Sequence, residues 1–220
     1  MVKPILGYWD ARGIAEPIRY LLRYKKADFE DKRYVVEADD WQKEKYSLGL
    51  DFPNLPYYID GDMKLTQSVA ILRYLAGKYD LDGKNEEEKR IIEMAEQQIM
   101  DFRANLRNLV FSENYENDKD QFIKDLPKQF ELWEMFLGDR KYIAGDEITY
   151  VDFQVYEIFD FYRIFHPSTF ECFPTMKAFH GRIKNLPEIK QYTSSSAYRI
   201  WPLFGPMAKF GGSGEPPKHA

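Results

Sequence analysis

The sequence predicts a small α/β domain built on a four-stranded mixed sheet, followed by an all-helical domain. Three observations carry this. Strand-like and helix-like stretches alternate as far as Tyr79, in the order βαβ(α)ββα. The polar, glycine-bearing segment Asp80-Leu81-Asp82-Gly83-Lys84-Asn85 then interrupts the pattern. From Glu86 onward apolar residues recur at helical period only. The expected division is therefore residues 1–83 and 84–220.

Pro4-Ile5-Leu6-Gly7-Tyr8 reads as a buried strand, and Asp10-Ala11-Arg12-Gly13 as a polar, glycine-ended strand-to-helix loop. A helix fits Ile14 to Tyr24, with Pro17 in the first turn, where it costs no hydrogen bond, and Ile18, Leu21 and Leu22 as its buried face. Phe29 to Val36 is the next strand. Strand, helix and strand in so short a span predict a parallel pair joined by a crossover. Glu37-Ala38-Asp39-Asp40 loosens into a short helix around Trp41 to Leu48.

The stretch Asp51 to Ser68 is the densest in signals. Asn54-Leu55-Pro56 sets a proline before Tyr57-Tyr58-Ile59, a position that admits a cis peptide bond. Asp60-Gly61-Asp62 is a tight hairpin turn and Lys64-Leu65 its return strand. Thr66-Gln67-Ser68 opens a helix whose apolar residues are Val69, Leu72, Leu75, Ala76 and Tyr79. Backbone groups freed by the proline, beside a helix N-terminus, suit a small, extended, anionic ligand. Taken alone, the same residues read first as an ordinary hairpin feeding a helix.

In the second half a helix starts in Glu86-Glu87-Glu88, where negative charge favours the helix dipole. Its stripe runs Ile92, Ala95, Ile99, Phe102, Leu106, Leu109, with Asp101 beside it. Further helices fit Lys119 to Leu137, Tyr150 to Phe165 and Thr175 to Asn185. Thr149 is placed to cap the second of these, with Asp152 in its first turn and Ile148 stapled on Phe153. The tail Gly211-Gly212-Ser213-Gly214-Glu215-Pro216-Pro217 reads as flexible.

Composition narrows the function classes. Hydrophobic residues are 44% and charged residues 30% of the chain, the balance of a soluble globular protein with a real core. Sixteen Tyr, 16 Phe and 4 Trp make aromatic packing prominent. A net charge of −5 without a basic tract argues against a nucleic-acid partner. The single cysteine, Cys172, excludes a C-x-x-C motif, and His166, His180 and His219 have no metal-ligand spacing, so no metal is expected. Without a signal-peptide pattern or a long apolar run, the expectation is a cytoplasmic protein with no membrane partner.

The element order, with a proline at the third strand, resembles the thioredoxin fold. Thioredoxin-type exchange needs a cysteine at the first strand-to-helix turn, and here that turn is Tyr8-Trp9-Asp10-Ala11. Disulfide exchange is excluded. What stands there is the Tyr8 phenol, either packed at the sheet edge or aimed at a ligand atom.

PILGYWDARG, LGLDFPNLPYYIDGDMKLTQSVAILRYLAGKY, FPTMKAF and WPLFGPMAKFGG together resemble cytosolic glutathione transferases of the mu class, and among them the parasitic-flatworm type. The resemblance implies a homodimeric enzyme that joins glutathione, its co-substrate, to hydrophobic electrophiles in detoxification. It implies that Tyr8 donates a hydrogen bond to the glutathione sulfur. Trp9, Trp41 and Lys45 would contact the glycyl end, with Lys45 on its carboxylate. Asn54 and Leu55, ahead of Pro56, would clasp the cysteinyl backbone, and Gln67 and Ser68 would hold the γ-glutamyl carboxylate. Asp101 would reach the ligand bound by the other subunit, and Phe52 and Arg73 would lie at the dimer face. The electrophile pocket would be Trp9, Ala11, Ile14, Ala104, Arg107, Phe111, Phe204 and Gly205. Two departures stand out: Phe111 replaces a tyrosine common in the class, which puts catalysis on epoxides and enones in doubt, and the segment between Val36 and Trp41 is short. Two other readings fit the same resemblance, a non-catalytic carrier of hydrophobic compounds and a glutathione-dependent prostaglandin isomerase.

The chemistry is self-consistent. A free thiol has a pKa near ~8.5, so little is thiolate at neutral pH. A hydrogen bond to a charged acceptor contributes about 1.5–3 kcal/mol, enough to lower that pKa by one to two units. A phenol with a pKa of about 10 acts there as a donor, not a base.

Overall fold

The computed structural model describes residues 2–220. β1 (Ile5–Trp9), α1 (Glu16–Tyr24) and β2 (Glu30–Tyr34) form a crossover unit in which the strands are parallel. A 3-10 turn (Val36–Ala38) and α2 (Asp40–Glu44) lead to β3 (Tyr57–Asp60) and β4 (Met63–Thr66). The sheet order is β2-β1-β3-β4, with β3 antiparallel to both neighbours. This is the four-stranded mixed sheet expected from sequence. Gly61 takes φ +62°, which lets the two-residue turn close. α3 (Ser68–Tyr79) completes this half. Six helices follow: α4 (Glu86–Val110), α5 (Tyr115–Leu137), α6 (Tyr150–Phe165), α7 (Pro167–Phe170), α8 (Pro174–Lys184) and α9 (Pro187–Thr193).

Some boundaries differ from the sequence reading. α1 begins at Glu16, two residues after the expected Ile14, with Ala15 as its N-cap and Pro17 in its first turn. α5 starts at Tyr115, ahead of Lys119, and runs on through Pro127. α7 and α9 lie in stretches assigned no helix; each opens on a proline at its first turn.

α6 is the axis of the molecule. Every residue in it except Arg163 is buried, and it packs against α1, α4 and α8. A helix buried all round must be apolar all round or pair its polar groups. Asp152 does so at the N-terminus, accepting from the Ile143 N–H (2.8 Å), the Thr149 N–H (2.7 Å) and the Thr149 hydroxyl (2.8 Å). Thr149 and Asp152 form a capping box at this end, as expected, and the Thr149 hydroxyl also donates to the carboxylate. Midway along, Glu157 takes the Arg12 Nε at 3.0 Å and Nη2 at 2.6 Å, and Asp160 takes Nη2 at 2.8 Å. Arg12 belongs to the β1–α1 loop, so this buried cluster ties the sheet half to the helical half.

The tail is a correction. The Gly211 carbonyl accepts the N–H groups of Leu203 (2.7 Å) and Phe204 (2.9 Å), Lys209 N–H donates to Val110 (2.7 Å), and His219 Nε2 meets the Ile164 carbonyl at 2.9 Å. Gly211 and Gly212 serve close packing: a Cβ on Gly212 would lie 2.6 Å from the Gly205 carbonyl, whereas Gly214 is exposed with open space around it.

Candidate active site

Tyr8 lies one residue from the C-terminal end of β1, opposite Arg33 of β2. Its hydroxyl points to the β1–α1 loop, where the Ile14 N–H approaches it at 3.4 Å. The loop leaves room for that phenol only because residue 13 is glycine: a Cβ there would sit 2.4 Å from the Tyr8 oxygen. Burial raises the Tyr8 pKa, opposed by the Ile14 N–H and by the positive charges of Arg103 and Arg19. The phenol therefore stays protonated through neutral pH and is a permanent donor.

Beside it opens a cavity of about 780 Å³. Trp9, Ala11, Ile14, Arg107, Phe111, Phe204 and Gly205 line it with Tyr8, as the resemblance implied; Ala104 lies outside the lining. Phe111 and Phe204 meet edge to face at 6.2 Å. Val36, Glu37, Arg103, Met207 and Ser213 also line it and were not anticipated. The signal for Arg103 was available: it stands four residues after Ile99 and four before Arg107 on one helix face.

On the other side of Tyr8, a second apolar cluster gathers Tyr34, Trp41, Leu50, Leu55 and Tyr57, with Trp9 and Ile14 against it. Trp41 stacks on Tyr57 with ring centroids 6.1 Å apart. Leu55–Pro56 is cis. A narrow recess lined by Gly13, Ile14, Ser68, Leu72 and Arg103 links the start of α3 to the Tyr8 loop. Gln67, at the N-cap of α3, adopts φ 72° and makes no side-chain capping bond, so the first-turn N–H groups are left to other acceptors. Tyr8, Trp9, Trp41 and Leu55 thus share one cluster, and Ser68 lines the recess beside the Tyr8 loop.

Other expected residues sit further out. Lys45 is half-buried with Nζ 4.8 Å from the Tyr46 ring centroid, while Asn54, Gln67 and Asp101 are exposed. Phe52 is 74% exposed, and Arg73 makes a bidentate pair with Glu96 at 3.0 and 2.6 Å. Among the described residues no cluster of His, Cys, Asp or Glu could hold a metal ion, and no helix is long and apolar enough to cross a membrane.

Residues 4–77 match the N-terminal domain of glutathione S-transferases, and residues 100–196 match the C-terminal domain. Glutathione S-transferase Mu 1 of Mus musculus is 46% identical over 210 residues, covering 93% of this chain and 96% of the mouse protein. The chain belongs to the glutathione S-transferase family. Glutathione S-transferase Mu 1 of Oryctolagus cuniculus is likewise 47% identical over 205 residues, covering 90% and 94% of the two chains. Among solved structures, the glutathione S-transferase Blo t 8 superposes with a TM-score of 0.88 at 39% identity, over 94% of this chain and 99% of that one. The Pi-class enzyme of Onchocerca volvulus gives 0.85 at 34% identity, over 94% and 100%. The transferase fold and the mu-class likeness expected from sequence both stand.

Proposed function

We propose that the protein conjugates the thiolate of reduced glutathione to hydrophobic electrophiles, with Tyr8 as the thiolate-stabilising donor. The observation that carries this is the buried Tyr8 hydroxyl at the edge of the cavity beside the sheet end. Glutathione is extended and anionic. The uncapped start of α3 at Gln67 and Ser68 suits its γ-glutamyl carboxylate, and Asn54 and Leu55 suit its peptide backbone. Trp9, Trp41 and Lys45 hold the glycyl end. The thiolate then attacks across the cavity wall made by Trp9, Ile14, Phe111 and Phe204, where proximity and exclusion of water do the rest. The carrier and isomerase readings have no observation in their favour.

The working unit in this reading is a homodimer. Phe52 projects from the sheet half, and α4 and α5 carry a small apolar recess lined by Met94, Ala95, Leu132, Trp133 and Phe136 that an aromatic ring fits. Arg73 lies at the same face, and Asp101 extends toward the partner's glutathione. We divide the chain at the 80–85 connection, place it nearest the parasitic-flatworm type on its short Val36–Trp41 segment, and assign it to the cytoplasm.

The test is conjugation of glutathione to a chlorodinitrobenzene-type electrophile by the wild type and by Tyr8→Phe. The variant should lose about 10- to 100-fold in kcat/KM, the value of one hydrogen bond to a charged acceptor. No wild-type rate above background would sink the transferase reading; an equally fast variant would sink the role of Tyr8.

A further inference from the structure

The cavity beside Tyr8 is not uniformly apolar. Arg103 and Arg107, four residues apart on α4, both line it. Salt bridges engage Arg12, Arg19, Arg33, Arg73, Arg163 and Arg199; among the described residues neither Arg103 nor Arg107 has one. The Arg103 Nε is buried without a hydrogen-bond partner. The Arg107 guanidinium lies over the Phe111 ring, 5.2 Å from its centroid.

The nearby acids are already committed, with one exception. Asp10 lines the cavity but is held by Arg33 and Arg199, each at 3.1 Å. Glu157, whose field reaches Arg103, is bound by Arg12 and by the Tyr20 hydroxyl. Glu37 is exposed on the turn after β2. The cavity thus presents two guanidinium groups against one solvated carboxylate.

We propose that Arg107, seconded by Arg103, makes this cavity prefer hydrophobic electrophiles that carry a carboxylate. The proposal rests on the glutathione-transfer reading above. Arg103 lines both this cavity and the recess that joins the Tyr8 loop to the start of α3, and so lies on the thiolate side. Arg107 is roughly 6 Å further along the helix, at about 1.5 Å per residue. That distance matches an aromatic ring with its reacting carbon at the sulfur and a carboxylate para to it. Phe111, one turn beyond Arg107, carries the guanidinium over its ring and so backs the charged end of the cavity. In the reaction the sulfur forms a carbon–sulfur bond, chloride leaves with its electron pair, and the thiol proton has already passed to solvent. The carboxylate only orients the ring.

A matched pair of probes tests this: 4-chloro-3,5-dinitrobenzoate and 4-chloro-3,5-dinitrobenzamide, each rate normalised to its uncatalysed reaction with glutathione. The acid should be favoured in kcat/KM by about 5- to 10-fold, mainly through KM, as fits one partly solvated charge pair. The preference should shrink with added salt, fall toward unity in Arg107→Gln, and survive in Arg107→Lys. Brisk turnover of the amide with no preference for the acid overturns the proposal alone, as does a preference that Arg107→Gln leaves unchanged. Turnover of neither compound overturns the transferase reading and takes this proposal with it.

Discussion

At Gly13 a single hydrogen atom protects the chemistry. A methyl group there would collide with the Tyr8 hydroxyl at 2.4 Å, and φ +55° is a backbone conformation that side chains resist. Gly13→Ala should therefore cost on the order of 1–2 kcal/mol in stability, and it should also lower kcat by moving the phenol. Thermal melts read the first effect and conjugation kinetics the second; full kcat in the folded variant would show that the phenol does not need this space. The raised Tyr8 pKa has its own consequence. Burial keeps the phenol protonated beyond its ordinary value, so the donor is present from acid pH to at least pH ~10 and is lost only above that. A plot of kcat/KM against pH should rise once, below the ordinary thiol value of about 8.5, and stay level to pH ~10. In Tyr8→Phe the rise should move back to about 8.5. An unmoved profile would contradict thiolate stabilisation by Tyr8. These residues were only half legible in sequence. The position of Tyr8 at a strand end and the glycine in its loop could be read there, but not that one exists to clear space for the other, because that is a distance between side chains.

Among the elements, α6 is the one whose loss would be felt everywhere. Asp152 satisfies two backbone N–H groups and a hydroxyl at its buried start. Removing the carboxylate leaves the Ile143 and Thr149 N–H groups without it, at about 1–3 kcal/mol for a buried unpaired group. Asp152→Ala should thus lower the melting temperature by roughly 2–12 °C, taking about 2–4 °C per kcal/mol for a chain of this size. Calorimetric affinity for glutathione should be nearly unchanged, since the cap touches no residue of the proposed site; a binding defect in folded protein would refute the purely structural role. The capping pair was visible in Thr149-Tyr150-Val151-Asp152, whereas the division of labour within it was not. Long periodic elements such as α4 and the hairpin marked by Pro56 and Gly61 were read correctly for the same reason: their signals are local. α7 and α9 are too short to show a period. The tail misled because its glycines read as flexibility, while their cause, the closeness of Gly205 and Ala208, lies in tertiary packing.

For the whole molecule, two joints matter: one between its halves and, in the proposed homodimer, one between subunits. Arg12 closes the first by bringing a fully buried guanidinium to Glu157 and Asp160. Nothing in the sequence of either segment pairs Arg12 with residues so far along the chain, so this joint could not be read in advance. Cutting it by Arg12→Met leaves the buried Glu157 without a cation and with only the Tyr20 hydroxyl, while Asp160 keeps Arg163 and His180, and should cost about 3–5 kcal/mol, read as a lower urea midpoint by tryptophan fluorescence. A change within error would mean that the carboxylates find other partners. The second joint, as proposed, would draw on exposed apolar surface. Phe52 is an aromatic ring left 74% in solvent, and Met94 and Leu132, at the recess on α4 and α5, are 57% and 61% exposed. Apolar surface buried between two copies stabilises by about 25 cal/mol per Å², so one aromatic side chain of 150–250 Å² is worth roughly 4–6 kcal/mol at most. That is enough to move a dimer dissociation constant by several decades. Phe52→Ser should therefore shift the enzyme toward monomer in analytical ultracentrifugation. Because Asp101 serves the partner's glutathione in this reading, the monomer should also bind glutathione more weakly. Asp101→Asn should reproduce that second loss while remaining a dimer. If Phe52→Ser stays dimeric at micromolar concentration, the ring is not what joins the subunits.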